Sequence, residues 1–131
     1  MTEIRIETTD RQLNFKPGDE IHGQLTWQLA EAPDALELRL FWYTSGKGTA
    51  DLTVVDTQRY NGPGTQGRRE FRFRCPDAPP SFTGKLITLT WGLEAVVDPS
   101  GDAELLEIVI SPSGEPLDLY AHASASDRFR R

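Results

Sequence analysis

The histidines His22 and His122 and the single cysteine, Cys75, are the residue types here most suited to metal binding or nucleophilic chemistry. Two histidines give a His-rich metal site or a Ser-His-Asp triad little to work with. His22 alternates outward among polar neighbours and reads as a solvated strand histidine. Cys75 falls in phase with Phe71 and Phe73, which predicts a small buried apolar side chain. A reactive thiol needs an accessible, electropositive setting, and the adjacent Arg72 and Arg74 point to the opposite face. The glycine-rich run NGPGTQG (61–67) lacks the Lys-Ser/Thr of a phosphate loop, and no helical pattern follows it. Asp98 and Asp102 in DPSGD invite comparison with a calcium loop, but Glu104 and Glu107 do not give EF-hand spacing, so a hairpin turn is expected. No pair of carboxylates stands in an acid/base setting. The expectation is a protein that is not an enzyme and that uses no cofactor and no metal.

Two surface features stand above this background. Phe41 and Tyr43 occupy the outward phase of a strand whose inward phase is already apolar. Either that strand is covered on both faces, or these aromatics form an exposed patch for a partner. Arg68, Arg69, Arg72 and Arg74 form a basic cluster, read as a solvated, cross-strand-paired face or as a second contact region. The candidate interaction surface is therefore Phe41, Tyr43, Arg68, Arg72 and Arg74.

The elements that must position these residues are strands. In FKPGDEIHGQLTW (15–27), Pro17 presets one backbone angle of a turn and Gly18 takes the positive φ that a type II turn requires. Beyond the turn, Ile21, Gly23, Leu25, Trp27 and Leu29 alternate with Glu20, His22, Gln24, Thr26 and Gln28. A period of two marks a half-buried strand. Gly23 interrupts the apolar row and predicts a bulge or a close backbone approach. The same alternation recurs in Leu36–Tyr43, Glu70–Cys75 and Ile87–Val97. Shorter apolar runs lie around Ile4, Leu13, Leu52–Val55 and Leu105–Ile110. That makes about eight strands separated by Pro/Gly/Asn/Asp turns. Strands with one apolar face must be buried sheet against sheet, with Trp27, Trp42 and Trp91 in the core. The fold class is all-β, a two-sheet antiparallel immunoglobulin-like sandwich.

The chain has 131 residues, 37% hydrophobic and 26% charged, enough for one domain whose core needs no disulfide. Its net charge of −6 argues against nucleic acid as a partner. The start MTEIRIETTD lacks the basic and apolar regions of a signal peptide, no run is long enough for a membrane span, and one cysteine allows no internal disulfide. The expected location is the cytoplasm.

The stretch REFRFRCPDAPPSFTGKLITLTWGLEAVVD (69–98) resembles the arrestin-like family. An aromatic-rich strand is followed by a proline-rich connector ending in Ser81-Phe82, then by a long strand with Trp91, Leu93 and Ala95 in an aromatic-x-Leu-x-Ala pattern. FKPGDEIHG and LELRLFWYTSGKGT are similar to the family's earlier strands, so the likeness runs over residues 4–110. It implies an arrestin-like sandwich at residues 1–111, similar to those of arrestins, the retromer subunit and bacterial sporulation-control proteins, serving as an adaptor or scaffold without catalysis. This chain has residues for one such sandwich, not two. It offers only Arg5 where receptor-reading arrestins carry paired lysines, and RYNGPGTQGR (59–68) cannot form their short helix. No functional residue carries over by position.

Residues 112–131 read as a polar tail, in which LDLYA (117–121) alternates and can add to a sheet edge. The expected function is a cytoplasmic protein-interaction module that binds through a sheet face or an edge strand, its partner a protein or a second copy of the chain. The alternative is a small-ligand or carbohydrate-binding sandwich using Trp42, Tyr43 or Tyr60.

Overall fold

A computed structural model describes residues 2–46, 49–84, 87–113 and 115–118. Strand β1 (Glu3–Thr8) buries Ile4, Ile6 and Thr8 and exposes the residues between them. A short 3-10 turn (Thr9–Arg11) leads to β2 (Asn14–Phe15) and into the Lys16–Asp19 corner. There Gly18 takes φ +86°, and the Asp19 amide donates to the Lys16 carbonyl at 3.0 Å, as the Pro-Gly pair requires. The corner is sewn to the end of another strand: the Gly18 amide donates to the Cys75 carbonyl, and the Cys75 amide to the Asp19 carbonyl.

Strand β3 (Glu20–Gln28) follows, with Ile21, Gly23, Leu25 and Trp27 inward. Gly23 is the close approach its position announces, because a Cβ there would stand 2.8 Å from the Phe71 ring and 2.9 Å from the Thr8 Cα. The remaining strands are β4 (Ala35–Gly46), β5 (Thr49–Asn61), β6 (Gln66–Arg74), β7 (Phe82–Thr83), β8 (Ile87–Asp98), β9 (Ala103–Ile110) and β10 (Leu117–Asp118). β7 exceeds the strands expected from the sequence, whereas β10 lies within LDLYA (117–121), the piece read as able to add to a sheet edge.

The strands form two sheets. The smaller has the order β1-β3-β6. The larger runs β10-β7-β8-β4-β5, with β9 on β8 and β2 on β9. Ile21, Leu25, Trp27, Phe71 and Phe73 from the smaller sheet belong to one buried cluster with Leu36, Leu38, Leu40, Trp91 and Leu93 from the larger. Each such side chain contributes about 1.5–3 kcal/mol over leaving it exposed. Trp91 is fully buried, and its indole N–H donates to the Pro79 carbonyl at 2.7 Å. Cys75 is buried in the same cluster.

Two core expectations are corrected. Trp42 is only partly buried, because burial falls along the last residues of β4, from Trp42 to Gly46, where the hairpin runs past the core. Ile87, at the start of β8, is exposed for the same reason.

The connector PDAPPS is anchored at buried Ser81. Its amide donates to the Ile110 carbonyl, its hydroxyl accepts from the Ile110 amide, and its carbonyl accepts from the Leu117 amide. This last bond begins the parallel pairing of β10 with β7, Leu117 opposite Phe82. The rest of the expected tail, including His122, lies outside the described residues.

Candidate functional site

Pairing of β4 with β5 and β8 determines what the larger sheet shows to solvent, since directly opposite residues share a face. With Leu36, Leu38 and Leu40 inward, the outward residues of β4 are Glu37, Arg39, Phe41 and Tyr43. Across the sheet, Tyr43 stands between Leu52 and Thr90, and Phe41 between Val54 and Gly92. Arg39 stands between Thr57 and Glu94, and Glu37 between Arg59 and Val96. Beyond β8, Leu105 of β9 lies opposite Glu94, and Glu107 lies opposite Gly92.

The face divides into an apolar half and an ionic half. In the ionic half, Glu37 accepts from Arg39 at 2.7 Å and from Arg59 at 2.8 Å, while Arg59 also reaches Asp98 at 2.9 Å. The Arg39 hydrogen bond, then that of Arg59, holds the Glu37 carboxyl below its usual range. In the apolar half, Leu52, Val54 and Leu105 are 64%, 43% and 45% exposed around Phe41 and Tyr43. The two rings stack at 5.9 Å with planes 20° apart.

Phe41 itself is not the exposed aromatic that its outward phase announces. It is buried, only 4% exposed, because Gly92 leaves an empty seat opposite it: a Cβ at Gly92 would stand 3.1 Å from the ring and 3.3 Å from Leu105. Tyr43 is half-buried, and its hydroxyl donates to Glu107 at 2.9 Å. Burial first, then the Glu107 carboxylate, raises the phenol's pKa. The neighbouring cleft of about 300 Å³, between β7 and β9, is lined by Leu13, Thr88, Thr90, Glu107 and Val109.

β5 carries much of this half; among the described residues it pairs as a strand with β4 alone, while the Gln58 side chain donates to the Arg72 carbonyl of β6. Its pairing jumps from Leu40–Asp56 to Phe41–Val54, so Val55 is an extra, bulged residue. The apolar run Leu52–Val55 was expected as a strand, and it is one. Its exposure was not legible from the residues.

The basic cluster lies elsewhere. Arg68, Arg72 and Arg74 project from β6 on the outer face of the smaller sheet, opposite Thr26, His22 and Glu20 of β3. Arg72 approaches Glu20 at 3.7 Å. Arg69 departs from the group and lies over the Tyr60 ring at 5.8 Å, where β5 and β6 meet. The structure therefore puts Phe41 and Tyr43 on one outer face of the sandwich and Arg68, Arg72 and Arg74 on the other. They do not form one surface.

His22 is half-buried rather than freely solvated. Its Nδ1 lies 2.9 Å from the Thr9 hydroxyl, and its Nε2 meets no hydrogen-bond partner among the described residues. Burial, and secondarily Asp19, pushes the Cys75 thiol up to about 12, so the thiolate that chemistry would need is disfavoured. DPSGD forms the β8–β9 hairpin, where Asp98 is engaged by Arg59 and Asp102 accepts from the Ser100 hydroxyl. Among the aromatics considered for a ligand groove, Trp42 packs on the core, Tyr60 donates to Gln58 and Tyr43 is held by Glu107.

The molecule is an arrestin-like β-sandwich. No family model and no curated protein sequence matches the chain. Among solved structures it is similar to Spo0M, the sporulation control protein of Bacillus subtilis. The TM-score is 0.60 at 18% identity over 84% of this chain and 48% of that one. The chain thus spans about half the length of Spo0M, and at this identity the likeness is one of fold. Alkylpurine DNA glycosylase AlkC of Pseudomonas fluorescens matches with TM-score 0.42 at 14% identity, over 84% of this chain and 30% of that chain. A β-glucosidase of Listeria innocua matches with TM-score 0.47 at 9% identity, over 88% of this chain and 16% of the enzyme. Neither of these two bears on function. Among the described residues, no helix is long and apolar enough to cross a membrane.

Proposed function

We propose that this protein is a non-catalytic cytoplasmic interaction module, an adaptor or scaffold that docks a protein partner on the outer face of its larger sheet. The observation that carries this reading is the exposed apolar half of that face. Leu52, Val54 and Leu105 stand open around the Phe41–Tyr43 stack, beside the Glu37–Arg39–Arg59 network. An apolar centre rimmed by charge is the usual composition of a protein-docking surface. The description of Spo0M as a sporulation control protein is in keeping with a regulatory role of this kind.

The test uses the full chain as bait in a lysate of its own host, beside Leu105→Glu and Tyr43→Ala baits checked for native circular dichroism. Proteins retained by the wild type and lost with folded Leu105→Glu are expected. A set of captured proteins that is the same for all three baits removes the face from consideration.

A further inference from the structure

We propose that the free edge of β5 pairs with the same edge of a second copy of this chain, antiparallel, about a two-fold axis at Thr53. The proposal rests on the protein-interaction reading above and names one occupant of the edge, leaving Leu105 and Tyr43 for other partners.

An edge strand presents a row of unpaired N–H and C=O groups, and proteins usually blunt such edges with lysine, proline, charge or a twist. Thr49–Asn61 contains neither lysine nor proline, and its bulge, at Val55, closes the apolar run rather than interrupting it. Its charges near the middle, Asp51 and Asp56, bracket the uncharged run Leu52-Thr53-Val54-Val55, in which Leu52, Val54 and Val55 are 64%, 43% and 42% exposed. Half of the large apolar residues found exposed among the described residues lie within this run. The strand is thus adhesive over a short stretch and guarded at both ends.

A contact between identical edges must be self-complementary, with residue i meeting j and j meeting i. An axis at Leu52 would set Leu52 against itself and leave Val54 opposite Ala50. An axis at Val54 would carry Leu52 past the bulge, onto Asp56. An axis at Thr53 sets Leu52 of each copy against Val54 of the other on the outer face and Thr53 against Thr53 on the inner. Asp51 then meets Val55, so no acidic residue faces its own copy. Apolar and threonine cross-strand pairs of this kind are favourable, whereas like charges directly opposite are not. The pairing also joins the two outer apolar halves, since Leu52 adjoins Tyr43 and Val54 adjoins Phe41 in each copy. With a net charge of −6 per chain, the copies repel at long range, so added salt should strengthen the association.

The experiment is light scattering of the full chain over a concentration series, with a cross-link to read the register. A concentration-dependent dimer is expected, tighter in 0.5 M than in 0.05 M sodium chloride. Leu52→Lys and Val54→Lys, both at exposed positions, should stay folded and weaken the dimer at least tenfold. Thr53→Cys should form a symmetric disulfide with oxidised glutathione, because directly opposite residues place their Cα atoms about 4.5–5.5 Å apart. Arg59→Cys, out of reach in this register, should not, and buried Cys75 is left in place in both. A wild type that stays monomeric throughout, or a dimer unaffected by either lysine, overturns the pairing. A disulfide at Arg59 in preference to Thr53 overturns the register. Either failure leaves the partner capture by the Leu105 face standing, since Leu105 lies on β9, away from this edge.

Discussion

Phe41 and Gly92 face each other across β4 and β8, and the side chain that Gly92 lacks is the space the Phe41 ring occupies. An outward-pointing aromatic is thereby buried on a sheet face over which the described residues lay no second sheet. Gly92→Val should displace the ring and cost about 1–3 kcal/mol, as overpacking does. It should also raise the exposure of Phe41. Urea unfolding measures the first effect and fluorescence of a surface-patch dye the second. A Gly92→Val protein as stable as wild type would show that the seat is not tight.

The tryptophans should rank by burial. Trp91→Ala removes a fully buried indole and is expected to cost about 3–5 kcal/mol. Trp42→Ala, at a partly buried position, should cost clearly less. Chemical denaturation of the two variants beside wild type decides the order, and a loss under about 1 kcal/mol for Trp91→Ala would reject its core role.

Cys75 should resist alkylation in the folded protein and react quickly on unfolding. The sign of its pH effect follows from the direction of its shift. Folding raises the thiol's pKa from 9.0 to about 12, so the folded state holds the proton more tightly. Its contribution is complete below pH 9 and is lost as pH rises from there through about 12. The half-buried tyrosine hydroxyls of Tyr43 and Tyr60, also raised, act in the same direction. Thermal unfolding across this alkaline range should show falling stability, with Cys75→Ala losing less. Rapid stoichiometric labelling at neutral pH would contradict the assignment.

Glu37 works at the acid end. Arg39 and Arg59 lower its folded pKa, so its contribution is present above the ordinary carboxylate range and lost as pH falls through the lowered value. The group is partly solvent-exposed, which limits the effect of Glu37→Gln to about 0.5–1 kcal/mol at neutral pH. The difference between the two proteins should shrink to nothing in acid. A difference that persists unchanged to pH 2 would assign it to packing instead.

Truncation after Ser111 removes β10 and the Leu117 amide that bonds the Ser81 carbonyl. The loss should be about 1 kcal/mol, the worth of one such bond, with the sandwich still folded. Failure of the truncated chain to fold would make the segment an integral strand.

The long strands were legible because a period of two is a local signal. Ile21 to Trp27 and Leu36 to Leu40 announce their inward faces residue by residue, and Gly23 announces its close contact by breaking the row. The proposed interaction surface was less legible, because it depends on pairing partners distant in the chain. Nothing near Phe41 reveals that Gly92 lies opposite it. Nothing near Arg68 reveals that its strand belongs to the other sheet. β7 is only two residues long, too short for any periodicity to register, whereas β10 opens the alternating LDLYA (117–121). The exposure of β5 followed from its place at the sheet's edge rather than from its composition, which reads as core.

The extra residue at Val55 inverts the parity of β5. Even-numbered Leu52 and Val54 face outward before it, and odd-numbered Thr57 and Arg59 face outward after it. A straight guest strand keeps a single parity, so it can stay in phase with this edge only as far as Val55. Beyond that point its side chains would meet the wrong face. For the pairing proposed at this edge the bulge therefore sets a length: a short extended segment stays in phase, and a longer one needs a bulge of its own to match. Deleting Val55 would restore one parity from Thr49 to Asn61 and lift that limit from the proposed pairing.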